Sequence, residues 1–224
     1  MPAEQGVRGL ADVLFRRGRR VEVDRPPESS DGSLPSKALS RFLQCLAQRT
    51  SPVVLDLGPV VGSNVTFLGE RLGCRFVVED LFADLERFAR EGRLADFAGF
   101  LETRFPQPDA SVDGVLCWDL LDYLDKGSSQ ALGRQMARLL KPGGALLGFF
   151  ATTPPVADLT QYTKYRIVDD RTLQHRTYRG SRPRQPVLNN RDIGRLFTGL
   201  SVTESFLLLT RTREILFRKP AQAA

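Results

Sequence analysis

Val53-Val54-Leu55-Asp56-Leu57-Gly58-Pro59-Val60-Val61-Gly62-Ser63-Asn64 is an apolar run that ends in an acid and opens onto two glycines four residues apart. A strand that breaks into glycines lets backbone come close to a small molecule, and the helix that follows presents unpaired N–H groups there. The stretch therefore predicts a ligand site at the tip of a strand. Glu79 and Asp80 close the next apolar run and lie 21 and 22 residues beyond Gly58. In nucleotide-binding α/β folds a carboxylate at about that distance accepts hydrogen bonds from a ribose, because both strand ends open on one edge of the sheet. The spacing favours an adenosine-containing ligand.

Outward from this stretch, short apolar runs alternate with helical patterns, the sequence form of a parallel sheet covered on both faces. A helix is expected over Leu34 to Arg49, with Leu39, Phe42, Leu43 and Leu46 on one face. Strand Val53 to Leu57 leads to a helix over Asn64 to Leu72 with its stop at Gly73, then strand Arg75 to Val78. A second helix buries Leu81, Phe82, Leu85, Phe88 and Ala89. A weak strand over Phe97 to Leu101 precedes the turn Phe105 to Asp109 and the strand Val115 to Trp118. Helix Ser129 to Leu140 ends at Lys141-Pro142-Gly143-Gly144 and gives way to strand Ala145 to Phe150. Residues 151 to about 188 lack clear periodicity; a helix over Arg191 to Phe197 and strands over Val202 to Leu209 and Glu214 to Phe217 complete the pattern.

With 224 residues and 42% apolar content, the chain can bury a substantial core without metals or disulfides. Residues 1–33 read as an N-terminal extension, with a short helix over Val7 to Phe15 and an arginine cluster at Arg16-Arg17-Gly18-Arg19-Arg20. Residues 34–219 form the expected domain, 151–190 an insertion on its substrate side, and 220–224 a tail. Cys45, Cys74 and Cys117 are odd in number and far apart, which suggests neither a disulfide framework nor a zinc site. No run approaches the roughly 20 apolar residues of a membrane span, and the first thirty residues lack an apolar signal core. A reduced, cytoplasmic protein is expected. The net charge of +6 leaves room for an anionic partner such as nucleic acid without requiring one.

The strand, glycine turn and strand-end acid are followed by Ser111-Val112-Asp113-Gly114-Val115-Leu116-Cys117-Trp118-Asp119-Leu120-Leu121-Asp122-Tyr123-Leu124 and by Ala137-Arg138-Leu139-Leu140-Lys141-Pro142-Gly143-Gly144. That series resembles the class I S-adenosylmethionine-dependent methyltransferases, in particular methyltransferase type 11-like domains, over residues 34 to 219. The resemblance implies a Rossmann-like, doubly wound α/β fold with a mostly parallel seven-stranded sheet, an antiparallel last strand and helices on both faces. It implies S-adenosylmethionine as cofactor and S-adenosylhomocysteine as product. Residues at the cofactor would be Asp56, Gly58, Pro59, Gly62, Asn64, Glu79, Asp80, Leu81, Trp118 and Asp119. The family's usual loop is Asp-x-Gly-x-Gly-x-Gly, so Asp56, Gly58 and Gly62 match while Val60 replaces the middle glycine, where a side chain threatens to crowd the cofactor.

Methyl transfer from a sulfonium is a direct displacement whose main demand is alignment, so few catalytic side chains are needed. A hydroxyl acceptor would require a base, for which His175, Asp119 and Tyr123 are the candidates. The 151–190 segment carries Lys164, Arg166, Arg171, Arg176, Arg179, Arg182 and Arg184 interleaved with Tyr162, Tyr165 and Tyr178, which suits a small anionic or aromatic acceptor. Two other readings compete. One is a non-catalytic methyltransferase-like binding or assembly subunit, motivated by Val60. The other is a nicotinamide-dependent oxidoreductase, disfavoured because no Gly-x-Gly-x-x-Gly follows the first strand.

Overall fold

The structure, a computed structural model, describes residues 32–154, 159–208 and 210–221. The helix expected over residues 7–15 and the arginine cluster after it lie outside the described residues. In chain order the elements are β1 (Gly32–Pro35), α1 (Lys37–Leu46), β2 (Val53–Asp56), α2 (Gly62–Leu72), β3 (Arg75–Val78), α3 (Leu81–Arg90), α4 (Phe97–Thr103), β4 (Val112–Trp118) and α5 (Lys126–Leu139). There follow β5 (Leu140–Ala151), β6 (Gln161–Asp169), β7 (Thr172–Arg179), α6 (Asn190–Leu196), β8 (Ser201–Leu207) and β9 (Thr212–Arg218).

The main sheet has the order β3-β2-β4-β5-β9-β8. β2 pairs in parallel with β3 and β4, and β4 with β5, while β9 is inserted antiparallel between β5 and β8. Alternating side chains feed two apolar cores, as the period of two in a doubly covered sheet requires. Leu55, Val115 and Leu146 face the core that includes Phe82, Phe88, Phe97, Met136 and Phe197. Val54, Leu116 and Leu147 face the other, with Leu39, Phe42, Leu68, Tyr165 and Leu173.

Among the described residues the sheet has six strands, not seven. Phe97 to Leu101, expected as a weak strand, is helical within α4. Phe97 and Leu101, four apart, are both buried there, and Phe97 and Phe100 pack on the Phe88 ring at 5.2 and 4.9 Å. That is the spacing of a helix face rather than of a pleat. The Lys141-Pro142-Gly143-Gly144 turn also begins earlier than its residues suggest: α5 stops at Leu139, and β5 already pairs Leu140 with Val112 before passing through Gly143 at a φ of 73°.

The segment after β5, without periodicity on first reading, holds an antiparallel hairpin of β6 and β7. β1 adds to its outer side, pairing Gly32 with His175 and Leu34 with Leu173, so a second, three-stranded sheet runs β1-β7-β6. Gly32 and Ser33, expected at the end of the extension, are thus part of this sheet.

α1 starts where the two sheets meet. Ser36 caps it by accepting from the Leu39 N–H at 3.0 Å, and Glu214 of β9 accepts from the Lys37 and Ala38 N–H groups at 3.1 and 3.2 Å. An acid at a helix N-terminus satisfies orphan donors and complements the helix dipole. Glu214 is fully buried, and burial raises its pKa against the pull of these donors. Glu214→Ala leaves two N–H groups without partners in the interior and should lower stability by about 2 kcal/mol in urea unfolding. Ser36→Ala should cost about 1 kcal/mol.

Candidate functional site

The C-terminal tips of β2, β3 and β4 converge, as the opening stretch predicts. The centre of the cluster is Asp56, 1% exposed, whose Oδ1 accepts from the Gly58 N–H at 2.9 Å and from the Trp118 indole N–H at 2.6 Å. Trp118 ends β4 with a φ of 51°, in the left-handed region that non-glycine residues avoid at a cost of about 1–2 kcal/mol. That backbone turn directs the indole at Gly58. A Cβ at Gly58 would stand 2.6 Å from Trp118 Cδ1 and 2.8 Å from Nε1. Gly58 is therefore needed for the chain's own tryptophan, not for a positive φ.

Tyr165 of β6 closes the other side of the indole, stacked on Trp118 with centroids 5.2 Å apart and planes 9° from parallel. Phe149 meets both rings edge-on, at 5.8 and 5.0 Å. Asn64, in the first turn of α2, is 1% exposed and reaches across to the hairpin. Its amide N–H donates to the Tyr165 carbonyl at 2.8 Å, and its oxygen accepts from the Ile167 N–H at 2.7 Å. One side chain thus substitutes for a neighbouring strand along β6.

The remaining predicted residues divide. Pro59 is buried, Gly62 has open space around it, and Val60 points outward at 37% exposure. The side chain that stands against Gly58 is Trp118. Leu81 is buried and its N–H donates to the Leu57 carbonyl at 3.0 Å. Asp80 caps α3, accepting from the Ala83 N–H at 3.1 Å. Glu79 is 4% exposed and bound by side chains that its position in the sequence does not announce: Arg104 forms an ion pair with it and donates to its carbonyl at 2.7 Å, and Gln107 donates to the same carboxylate.

Asp119 and Tyr123 do come together, at the end of β4. The Asp119 carboxylate is 2% exposed, without a close hydrogen-bond partner, and has the Arg184 guanidinium at 3.8 Å. Burial raises its pKa to about 6, opposed chiefly by the Arg184 charge. Asp122 accepts from the Ala151 N–H at 2.9 Å, and burial together with the Asp119 charge lifts it to about 7. Tyr123 donates to the Gln161 carbonyl at 2.7 Å. Tyr162 and Tyr178 are cross-strand partners with centroids 5.7 Å apart, and Tyr162 is buried against Phe82 and Tyr123. His175 is not part of this group: it faces Gly32 of β1, where a Cβ would lie 2.5 Å from its ring.

Burial also pushes Asp56 up to about 7, opposed by the Gly58 and Trp118 donors. The folded chain thus retains protons on Asp56, Asp119 and Asp122 that the unfolded chain releases near pH 4. Stability is full below that point and falls as pH rises through about 7. The melting temperature should therefore fall between about pH 5 and about pH 8, and Asp56→Asn, which keeps an oxygen for both donors, should shrink that fall. Gly58→Ala should cost about 1–3 kcal/mol in chemical denaturation, by driving the indole from Asp56.

The model of the methyltransferase domain family matches residues 32–199. No curated protein matches the chain. Among solved structures, 1,6-didemethyltoxoflavin-N1-methyltransferase from Burkholderia thailandensis is 16% identical, with 82% of this chain and 77% of that one covered and a TM-score of 0.49. A putative sarcosine dimethylglycine methyltransferase from Galdieria sulphuraria is 14% identical over 82% and 84%, with a TM-score of 0.48. The CcbJ methyltransferase from Streptomyces caelestis is 16% identical over 84% and 91%, also with a TM-score of 0.48. The chain belongs to the methyltransferase domain family, whose reaction is the transfer of a methyl group from S-adenosylmethionine.

Proposed function

We propose that the methyl acceptor is a small anionic molecule and that it enters beyond the end of β5. The observation that carries this reading is an open surface depression lined by Thr152, Val187, Leu188, Asn189, Asn190, Arg191 and Arg213. Two guanidinium groups beside two amides suit a carboxylate or phosphate. It begins one residue past Ala151, whose N–H is held by Asp122. Asp119, with a pKa of about 6, is the group suited to take a proton from a hydroxyl acceptor near neutral pH.

Asp56, Gly58, Pro59, Gly62, Asn64, Glu79, Asp80, Leu81, Trp118 and Asp119 are proposed as the cofactor side. The free Cys45, Cys74 and Cys117 support a reducing compartment, hence the cytoplasm. The alternative, a methyltransferase-like subunit without a reaction, is favoured by one observation: the Trp118 indole, with Tyr165 stacked on it, stands against Gly58.

Calorimetric titration with S-adenosylhomocysteine separates the two, since the absence of heat at millimolar ligand would end the enzyme reading. With labelled S-adenosylmethionine and a panel of small carboxylates, phosphates and phenols, the best acceptor is expected to be anionic. Arg213→Ala should raise the KM for it about tenfold or more and leave kcat within about threefold. Transfer to an oligonucleotide and to none of the small molecules would overturn the assignment.

A further inference from the structure

We infer that the β6–β7 hairpin works against the cofactor from within: Tyr165 backs the Trp118 indole, which stands against Gly58 where a ligand would approach the turn, and Asn64 latches the hairpin there. The inference rests on the reading of the chain as a methyltransferase that uses S-adenosylmethionine.

Three independent features converge on it. The first is shape. The Trp118 indole stands against the glycine that would otherwise let a ligand approach the backbone, and the Tyr165 ring, its plane 9° from that of the indole, backs it. Trp118 reaches that place only through a left-handed φ of 51°, an arrangement that persists because the Asp56 acceptor and the Tyr165 stack hold it.

The second is chemistry. A nucleoside offers a flat ring for stacking and hydroxyls for hydrogen bonding. The tips of β2 and β4 already supply an internal version of both, in the Tyr165 ring and in the indole N–H on Asp56. At the end of β3, Arg104 and Gln107 engage the Glu79 carboxylate in the same way.

The third is attachment. Besides its apolar packing, β6 is tied to the main sheet's first turn by the two bonds of Asn64, to Tyr165 and Ile167, and at its start to Tyr123, whose hydroxyl donates to the Gln161 carbonyl. β6 pairs with β7 alone, and its other edge carries no strand. β7 in turn pairs with β1, and the tip of the hairpin is held at the surface by the ion pair of Arg71 with Asp170 at 2.6 Å. The three-stranded sheet β1-β7-β6 shares no strand pairing with the main sheet, so the hairpin can shift at the sheet tips without breaking any pairing there.

Affinity measured for a site that is open only part of the time is the intrinsic affinity reduced by the open fraction. Weakening the latch or removing the ring that backs the indole raises that fraction and tightens binding. Asn64→Ala removes both latch bonds, and Tyr165→Ala frees the indole to turn away while leaving the glycine turn untouched. Each should bind S-adenosylhomocysteine about tenfold tighter or more than the wild-type chain.

The test is calorimetric titration of the full-length wild type and both variants with S-adenosylhomocysteine, together with amide hydrogen exchange over residues 161–179 in the wild type. Circular dichroism melting establishes that each variant is folded. The inference is supported if both variants bind tighter and if the ligand accelerates exchange across the hairpin. It is overturned, with the methyltransferase reading intact, if the wild type binds as tightly as Tyr165→Ala and the ligand slows exchange there, because the hairpin would then cover the cofactor rather than compete with it. If the folded wild type and both folded variants all fail to bind at millimolar ligand, the inference and the cofactor reading fall together.

Discussion

A single buried carboxylate organises the functional end of this molecule. Asp56 is deprived of water and meets two N–H donors, one from the turn that follows its own strand and one from the indole 62 residues later. Because an unpaired acid in such a place is expensive, these donors are fixed by the acid as much as the acid is satisfied by them. The turn geometry of Gly58, the left-handed backbone of Trp118 and the stacking place of Tyr165 all follow from that demand. The doubly covered sheet supplies the burial that makes the demand strict.

The same logic extends to the neighbouring acids. Glu79 is engaged by Arg104 and Gln107, and Asp113, at the opposite end of β4, accepts from the Val53 N–H at 2.9 Å and pairs with Lys141 at 2.7 Å. Glu79 and Asp113 have each found partners from distant segments, which tie the ends of β3 and β4 to the rest of the fold. Asp119 is the exception, with Arg184 at 3.8 Å and no closer donor in hydrogen-bonding geometry. An under-satisfied buried carboxylate is a group ready for work, which is why it stands out among the proposed proton acceptors.

Much of the main sheet was legible in the sequence because its strands are continuous apolar runs and its helices carry apolar stripes at spacings of three and four. α1, α2, α3 and α5, and strands β2 to β5, follow that pattern. α4 was misread because Phe97, Phe100 and Leu101 make a short apolar run, which periodicity alone does not assign to strand or helix. The hairpin was missed although its signal is present: Thr163, Tyr165 and Ile167 alternate inward at 6, 8 and 3% exposure, with Lys164, Arg166 and Val168 between them. The charges on the outer face and the aromatic residue Tyr162 one place out of step obscured the period of two. For the site, the sequence identified the right strand tips and acids, but not their occupants. Nothing local ties Trp118 to Gly58, Arg104 to Glu79 or Asn64 to β6, since each is a long-range pairing made by the fold.

The chain contains one tryptophan, and it is the residue wedged between the acid, the glycine turn and the hairpin. Every photon that the protein emits from an indole therefore originates at this one spot, from a ring donating to a carboxylate and pressed against a tyrosine. The molecule carries a built-in optical gauge whose reading belongs to the sheet tips and to no other part of the fold.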